Sequence, residues 1–302
     1  MSVVLPKIRV GEPVTYRGLA LFPLFDGAFQ PVEYTLSDDG IESGVVTVEE
    51  VSASGSVPEL LVENKGDIRV LFLEGEELIG AKQNRILNTS VLIAAHGKTK
   101  IPVSCVEQGR WSYRSRRFGH SGRHSPSKLR RVLKKDVHAA LQAKQGHYSN
   151  QRRVWDEVSR QQAALGASSE THAMSDTYLA HEHRQAEFQE RLQYVEGACG
   201  LAVALGGKVV ALDLFDKTDT CRNVWQRLLS GYVLDALEEA AEMDPPKAAE
   251  VEQLLETAAA SPWKQSESVG EGEEYRANLG DQWYASALTL GNSPVHVSVV
   301  VG

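Results

Sequence analysis

Carboxylates, amides and cationic side chains concentrate between residues 74 and 111 of this 302-residue chain. The members of this group are Glu74, Glu76, Glu77, Lys82, Gln83, Asn84, Arg85, Asn88, Ser90, Cys105, Glu107, Arg110 and Trp111. Carboxylates act as general acids and bases, guanidinium groups bind phosphate through paired hydrogen bonds, and an indole stacks on flat rings. Together these residue types predict a polar pocket for a glycosidic or phosphoester ligand.

The residues divide by chemistry into catalytic and ligand-binding candidates. If the protein is an enzyme, Glu76 or Glu107 is the predicted general acid/base, and Cys105 is a candidate nucleophile. The thiol is the weakest of the three, because no histidine is linked to it by sequence and a cysteine in a strand is usually inert packing. The predicted ligand-binding residues are Lys82, Gln83, Asn84, Arg85, Asn88, Ser90, Arg110 and Trp111.

Metal binding is the alternative chemistry for the acidic residues. The carboxylates of Glu74, Glu76, Glu77 and Glu107 suit Mg²⁺ or Ca²⁺. Acidic turns are more often simply solvated, so we predict no metal site, and the sequence names no cofactor. Two other strings are decoys. Gly97-Lys98-Thr99 lacks the first glycine of a P-loop, and the two histidines of His181-Glu182-His183 point away from each other on a helix.

Two neighbouring strands must position the central part of the group. Gly97-Lys98 fits a two-residue type II′ turn, which takes glycine first. This turn would place Ser90 opposite Cys105 and Asn88 opposite Glu107. Since side chains alternate along a strand, these polar residues would share one face. Burying them without partners costs several kcal/mol, so we expect either an internal hydrogen-bond network or a ligand there.

A second feature is strongly basic. Residues 108–135 contain ten Lys and Arg residues and no acidic residue, and aromatic side chains lie among them. Such a mixture suits phosphate contacts and base stacking. The rest of the chain is acidic, which disfavours wrapping a long polyanion. The segment therefore predicts a site for a nucleotide-sized anion, with RNA or single-stranded DNA binding and a simple solvated loop as open alternatives.

Composition limits the class of protein. With 42% hydrophobic and 24% charged residues, the chain has enough apolar side chains to bury a core. Three cysteines without CxxC spacing argue against a disulfide scaffold and a zinc ribbon. The chain shows neither a signal-peptide pattern nor an apolar run that would span a bilayer. We therefore expect a cytoplasmic protein with no membrane contact.

The pattern along the chain predicts an α+β fold in a single family domain, 1–302. Residues 1–107 are rich in Val, Ile, Leu and Thr and carry turn signals, which favours an antiparallel sheet or sandwich with strands near 3–9, 19–24, 45–51, 59–63, 68–73, 85–93 and 101–106. A basic loop and helix start at 108–135 and a helical part at 136–195 follow, the latter including a polar run over 175–194. The closing part, 196–302, contains α and β elements.

The closing part carries the clearest local signals. Gly206-Gly207 lies between two apolar runs and predicts a hairpin. Thr218 or Thr220 can cap a helix whose apolar residues recur at helical spacing. A short helix over 251–260 and a polar loop over 261–274 follow. Strands over 283–290 and 295–301 are expected to join the N-terminal sheet or the hairpin's sheet.

Four strings carry a family resemblance. They are residues 74–85 (EGEELIGAKQNR), residues 101–107 (IPVSCVE) leading to Gly109-Arg110-Trp111, the helix with Gln151 and Trp155, and residues 212–215 (LDLF) with Trp225. With these, nearly the whole chain resembles the ADP-ribosylglycohydrolase and rhodanese-phosphatase associated protein family of bacteria. The family's name implies a role near ADP-ribose or other phosphorylated nucleotide derivatives.

The sequence thus gives three functional hypotheses. The first is binding of an ADP-ribose-like or other phosphorylated nucleoside ligand, with Arg85 and Arg110 on phosphate and Trp111 stacking. Whether such a protein hydrolyses the ligand or only senses it stays open, as does the oligomeric state. The second is RNA or single-stranded DNA binding through residues 110–135. The third is a non-catalytic scaffolding protein that uses the polar helix over 175–194.

Overall fold

The computed structural model describes residues 3–27, 30–52, 54–239, 243–280 and 283–301. It is an α+β protein, which confirms the predicted fold class. Its strands are β1 (Arg9–Val10), β2 (Val14–Tyr16), β3 (Leu19–Phe25), β4 (Tyr34–Leu36), β5 (Val46–Glu50), β6 (Glu59–Asn64), β7 (Arg69–Phe72), β8 (Glu76–Gly80), β9 (Arg85–Leu87), β10 (Val91–Ile93), β11 (Lys98–Cys105), β12 (Phe118–His124), β13 (Gly200–Leu205), β14 (Lys208–Phe215), β15 (Lys264–Ser266), β16 (Glu273–Asn278), β17 (Trp283–Leu290) and β18 (Ser293–Val301). Its helices are α1 (Ser37–Glu42), α2 (Ser127–Gln142), α3 (Gln151–Leu165), α4 (Met174–Ala180), α5 (Glu182–Arg191), α6 (Thr218–Glu238) and α7 (Ala248–Ala260).

The chain divides into two compact units. One, the flanking unit, comprises Met1–Val32, Glu182–Ser266 and Gly272–Gly302. The other, the central unit, comprises Glu33–His181 and Glu267–Glu271. Each unit has its own sheets and its own apolar core.

A nine-stranded antiparallel sheet forms the flanking unit, with the order β1-β3-β13-β14-β18-β17-β16-β15 and β2 paired to β3. The predicted hairpin is confirmed, since Gly206 and Gly207 both take positive φ between β13 and β14. The closing strands β17 and β18 join the hairpin's sheet, because β18 pairs with β14. Helix α6 packs on this sheet with Trp225 and Tyr232 buried. Its predicted threonine cap is wrong. Thr218 is the first helical residue, and the N-cap residue is Lys217, whose side chain makes no capping hydrogen bond.

The central unit contains a six-stranded sheet and a three-stranded sheet. The larger has the order β12-β8-β9-β11-β6-β5, and its edge strands β12 and β5 contact each other, so the sheet curls around its core. The smaller has the order β10-β7-β4. Fully buried apolar side chains fill this core, among them Val48, Leu60, Leu78, Leu87 and Ile101. Most strands predicted within residues 1–107 are present, because their alternating apolar residues point into a core.

The predicted hairpin at Gly97-Lys98 is wrong. The predicted strand over 85–93 is split, since β10 pairs with β7 and only β9 pairs with β11. In the observed register Cys105 lies opposite Arg85, not opposite Ser90. Asn88 falls instead beside Ser104, whose hydroxyl donates to Asn88 Oδ1 at 2.7 Å. Alternation therefore puts Asn88 on the face opposite to that of Cys105, so the predicted single polar face does not form.

Polar side chains explain the split. Asn88 donates from Nδ2 to the His147 carbonyl at 2.9 Å, and Ser90 Oγ accepts from the Glu74 N–H at 2.9 Å. The last backbone bond to β11 runs from the Asn88 N–H to the Pro102 carbonyl at 3.0 Å, and these side-chain bonds hold the chain beyond it, which the apolar pattern did not reveal. Other segments also differ from prediction. The basic loop contains strand β12, the polar run over 175–194 forms two helices, and the loop over 261–274 contains β15.

Candidate ligand-binding site

A cleft of about 600 Å³ opens in the central unit. Its lining comes from two places, the end of β5 and the segment that precedes β12: Glu49, Glu50, Ser52, Tyr113, Arg114, Ser115 and Arg116. Because the curled sheet brings β5 and β12 into contact, segments that are distant in sequence meet here. We call this feature the Glu50 cleft.

The carboxylate of Glu50 is buried at the wall of the cleft. Its side chain is 3% exposed, and neither of its oxygens has a hydrogen-bond partner among the described residues. The nearest cation is Arg85, whose Nη2 lies 4.0 Å from Glu50 Oε1. At that distance the two groups attract each other electrostatically but form no hydrogen bond.

Arg85 is equally buried and only partly bonded. Its Nη1 donates to Gln83 Oε1 at 3.1 Å, whereas Nε and Nη2 have no acceptor within the part of the chain that is described. Burial lowers the pKa of Arg85, although the neighbouring Cys105 and Glu50 raise it. A buried guanidinium and a buried carboxylate thus face each other beside an opening, each with unused hydrogen-bonding atoms.

Two aromatic rings adjoin the cleft. Trp111 and Tyr113 are about half exposed, at 47% and 52%. The Lys82 ammonium lies 5.1 Å from each ring centroid, and the Arg85 guanidinium lies 5.8 Å from that of Trp111. Lys82 is fixed there because its Nζ donates to the Ser54 carbonyl at 2.7 Å. The rings are therefore held by cation–π contacts and still offer surface to a ligand.

Gly55 completes this wall. Its φ is +79°, and a Cβ at this position would lie 3.2 Å from the Trp111 ring and 3.3 Å from both the Glu50 carboxylate and Lys82. Only glycine takes this backbone conformation without strain and leaves room for the three side chains.

A dense network behind the cleft joins Glu107 to Arg110. Glu107 Oε2 accepts from Arg110 Nη2 at 2.6 Å and from the Asn84 N–H at 3.0 Å, and Oε1 accepts from Arg110 Nε at 2.8 Å and Thr171 Oγ1 at 3.0 Å. Arg110 also donates to backbone carbonyls, including that of Ala81 at 2.6 Å. Burial raises the pKa of Glu107, but these donors outweigh it and the pKa is lowered.

This network reaches the cleft through Arg114. Arg114 Nη2 lies 3.7 Å from Glu107 Oε1, and the same side chain lines the cleft. Most of the remaining predicted polar residues belong to the same network. Gln83 Nε2 donates to the Glu107 carbonyl at 2.9 Å, and Asn84 Oδ1 accepts from Arg110 at 3.2 Å. The string over residues 82–85 and the Glu107–Trp111 segment are thus brought together, as predicted, although by a different register.

Glu74, in the turn before β8, and Glu76, the first residue of β8, form separate buried networks. Glu74 Oε2 accepts from Lys134 Nζ at 2.6 Å, and Arg130 lies 4.0 Å from Oε1. Glu76 accepts from the Ser37 hydroxyl and from the Leu73 N–H at 3.0 Å. Neither residue lines the Glu50 cleft. Of the residues that the structure describes, His, Cys, Asp and Glu side chains form no group of three or more that could hold a metal ion.

Cys105 is packed away from the cleft lining. The residue is fully buried, and burial raises the pKa of its thiol, although the Arg85 cation and a backbone hydrogen bond from the Glu107 region lower it. Its thiol donates to the Glu107 carbonyl at 3.2 Å. A raised pKa keeps the sulfur protonated at neutral pH, which argues against its use as a nucleophile.

Glu77 is the most perturbed carboxyl group of the central unit. Burial raises its pKa to about 7, although Ser121 and Arg123 lower it. Neither oxygen has a hydrogen-bond partner within 3.5 Å in the described structure. The group therefore changes charge near neutral pH.

The basic segment does not form one exposed surface. Arg110, Arg130 and Lys134 are buried and paired with Glu107 or Glu74. Of the segment's exposed cations, Arg114 and Arg116 line the cleft and are 61% and 87% exposed, whereas Arg131 and Lys135 lie on helix α2. Long-polyanion binding thus has fewer free charges than the sequence suggested.

Sequence reasoning missed Glu50, Tyr113, Arg114 and Arg116 as a group. The last three lie inside the basic segment that was singled out, but nothing local connects that segment with the end of β5. The signal for Glu50 was weak: its neighbour Glu49 is also acidic, and both read as ordinary strand-end charges.

Comparison with known proteins gives one match. A family model described as ARPP-1, the ARG and Rhodanese-Phosphatase-superfamily-associated Protein domain, covers residues 7–300. No curated protein and no solved structure matches the chain. Over the described residues, no helix is long and apolar enough to cross a membrane.

Proposed function

This chain belongs to the ARG and Rhodanese-Phosphatase-superfamily-associated Protein family, and we propose that its Glu50 cleft binds a phosphorylated nucleoside ligand of the ADP-ribose type. Reading ARG as ADP-ribosylglycohydrolase, as the sequence resemblance implies, links the family to ADP-ribose chemistry. Such an association suggests the ligand class but not a reaction. The contents of the cleft supply the physical argument.

Phosphate binding is supported by the exposed arginines. Arg114 and Arg116 line the cleft, and their side chains are mostly solvent-accessible. Arg116 lies 3.9 Å from Glu49 and Arg114 lies 3.7 Å from Glu107, so each is only loosely paired. Both are free to exchange a weak contact for a bidentate phosphate.

Base stacking is supported by the two half-exposed rings. Trp111 and Tyr113 stand beside the arginines, and their positions are fixed from behind by Lys82. The cleft volume of about 600 Å³ falls within the size range of sites for cofactor-sized ligands. The single observation that carries the proposal is this cleft, where two loosely paired arginines and the ring of Tyr113 meet a buried carboxylate and the ring of Trp111 adjoins them.

Binding without hydrolysis is the form that the geometry favours. Glu107, the predicted general acid/base, is saturated by Arg110, Asn84 and Thr171, and its lowered pKa makes it a poor proton donor. Glu76 and Cys105 do not line the cleft. We therefore propose that the protein senses or carries its ligand.

Calorimetric titration with ADP-ribose, ADP and ribose 5-phosphate tests the proposal. We expect saturable binding of the two nucleotides, weakened roughly tenfold by Arg116→Ala, which removes a charged hydrogen-bond donor. Arg9→Ala is the matched control, because Arg9 is an exposed, ion-paired arginine of the flanking unit and its loss should leave the affinity unchanged.

Three results would contradict this function. Absence of binding at millimolar nucleotide removes it. Release of product from ADP-ribose during the titration would show an enzyme instead of a sensor. Tight binding of a single-stranded RNA, with affinity that falls steeply as salt is added, would favour the nucleic-acid alternative.

A further inference from the structure

We infer that Glu50 binds the cis-diol of a ribose, so that the cleft selects ribonucleoside over 2′-deoxyribonucleoside ligands. The inference rests on the proposed function and adds the part of the ligand that the cleft recognises. It comes from the hydrogen-bonding state of Glu50. Glu77 also has two unbonded oxygens, but of these two residues only Glu50 lines the cleft.

The first step is the number of unused acceptors. Both oxygens of Glu50 lack a hydrogen-bond partner among the described residues, although the side chain is only 3% exposed. A buried carboxylate without donors is costly, so the site gains free energy when donors arrive. Glu107, in the same unit, shows the satisfied state with four hydrogen bonds from its surroundings.

The second step is the kind of group that these atoms accept. A carboxylate repels phosphate, and the adjoining Glu49 adds to the negative charge at this wall. Neutral hydroxyl groups are the suitable donors, and two neighbouring hydroxyls match the two oxygens of one carboxylate. An acidic side chain on a ribose hydroxyl is a recurring solution in nucleotide sites.

The third step is the partner across the gap. Arg85 Nη2 stands 4.0 Å from Glu50 Oε1, and its Nη2 and Nε have no acceptor in the described part of the chain. A hydroxyl both donates and accepts, so a diol placed here satisfies the carboxylate and the guanidinium together. A phosphate would satisfy only Arg85, and an amino group would satisfy only Glu50.

The other residues at the cleft supply contacts for the remaining parts of a nucleotide, its phosphates and its base. Arg114 and Arg116 are the exposed cations for phosphate, and Trp111 and Tyr113 are the surfaces for a base. Glu50 is thus the acceptor that is left for the sugar. Gly55 leaves room beside the carboxylate, because a Cβ at that position would lie 3.3 Å from Glu50 Oε2.

Titration of three nucleotides tests the inference: ADP, 2′-deoxy-ADP and the arabino epimer of ADP, in which the two hydroxyls are trans. We expect the wild-type protein to bind ADP about tenfold or more tightly than either analogue, because each analogue leaves a buried acceptor unmet. In Glu50→Gln the preference should fall to about twofold or less. Glu49→Gln is the matched control and should keep the wild-type preference.

The outcomes separate the two proposals. If ADP and 2′-deoxy-ADP bind the wild-type protein equally, the diol inference is wrong while the proposed function stands. If Glu50→Gln keeps the full preference, another residue reads the sugar and the inference is again wrong. If no nucleotide binds, the proposed function itself fails. Should Glu50→Gln not fold, the wild-type comparison still tests the inference, because equal binding of ADP and 2′-deoxy-ADP overturns it.

Discussion

Two buried carboxylates, Asp213 in the flanking unit and Glu50 in the central unit, differ in their hydrogen bonding. In the flanking unit, Asp213 accepts from the Tyr232 hydroxyl at 3.0 Å and lies 3.1 Å from His296 Nε2. His296 is in turn stacked on Phe215, with ring centroids 4.9 Å apart. In the central unit, Glu50 is buried to a similar degree but has no hydrogen bond from the described residues.

The difference shows which buried charge indicates a site. Asp213 has donors on both oxygens and does not line the Glu50 cleft, so its role is structural. Glu50 is unsatisfied beside an opening, which leaves a ligand to supply the donors. Burial of a carboxylate is therefore uninformative until its hydrogen bonds are known.

The units also differ in charge. The central unit holds 20 basic and 20 acidic residues, whereas the flanking unit holds 12 basic and 20 acidic residues. The whole formal charge of −8 thus lies in the flanking unit. An anionic ligand meets no net repulsion from the unit that carries the cleft.

The largest effect that we predict is on stability and concerns the hydrogen-bonded pair Glu107–Arg110 of the central unit. Arg110→Ala leaves the Glu107 carboxylate buried without its main cation, and this should lower the free energy of unfolding by about 3–5 kcal/mol. Urea denaturation measures it. Arg114→Ala is the control, because Arg114 is 61% exposed and should change stability little. A small effect at Arg110 would mean that the buried network is not cooperative.

The next prediction concerns Glu77 and pH. Its pKa is raised from 4.5 to about 7 in the folded protein. Between these values the unfolded chain releases a proton that the folded chain keeps, so stability falls as pH rises, by up to about 3 kcal/mol. Glu77→Gln removes this loss. Urea titrations should therefore show the free energy of unfolding of the variant rising relative to that of the wild type between pH 5 and pH 8. Parallel curves for the two proteins would show that Glu77 does not titrate in this range.

A smaller effect is expected at the satisfied carboxylate of the flanking unit. Asp213→Asn replaces an acceptor for Tyr232 and His296 with a mixed donor and acceptor, which should cost about 1–3 kcal/mol of unfolding free energy. Nucleotide affinity should not change. Asp219→Asn is the control, since Asp219 is 79% exposed. A loss of affinity in Asp213→Asn would break the distinction between structural and ligand-binding carboxylates.

The smallest effect on stability is predicted for Glu50→Gln. The wild-type carboxylate makes no hydrogen bond to the described residues but attracts the Arg85 cation at 4.0 Å. Loss of this attraction and relief of the desolvation cost oppose each other, so the substitution should change the unfolding free energy by less than about 1 kcal/mol. Thermal melts without ligand provide the measurement. Destabilisation as large as that of Asp213→Asn would show that Glu50 holds the fold rather than a ligand.

The sequence predicted local structure better than it predicted the site. The Gly206-Gly207 hairpin and helix α6 were found because turn chemistry and helical spacing are local signals. Strand β12 was missed because its sequence, FGHSGRH, has almost no apolar alternation and is paired by β8 instead. The register of β11 failed for a related reason: its partners are set by the whole curled sheet rather than by the nearest turn.

The candidate site shows the same limit. The sequence predicted one pocket from residues 74–88 and 105–111, whereas the structure joins residues 82–85 to 107–111 and places Glu74 and Glu76 in separate networks. No spacing rule gives the distances that show Arg110 to be paired with Glu107 and therefore not available to a ligand. Likewise, Glu50 becomes notable only when the surrounding atoms are known to leave it unbonded.

The short return segment Glu267–Glu271 has a consequence for how the protein is made. Glu271 forms a bidentate pair with Arg69 at 2.7 and 2.9 Å, and its N–H donates to the Leu92 carbonyl at 2.8 Å. These five residues leave the ribosome about 90 residues after His181, a delay of roughly 5 to 20 seconds at ordinary translation rates. The edge strand β10 therefore gains its bridge to Glu271 only after residues 182–266 of the flanking unit have been synthesised.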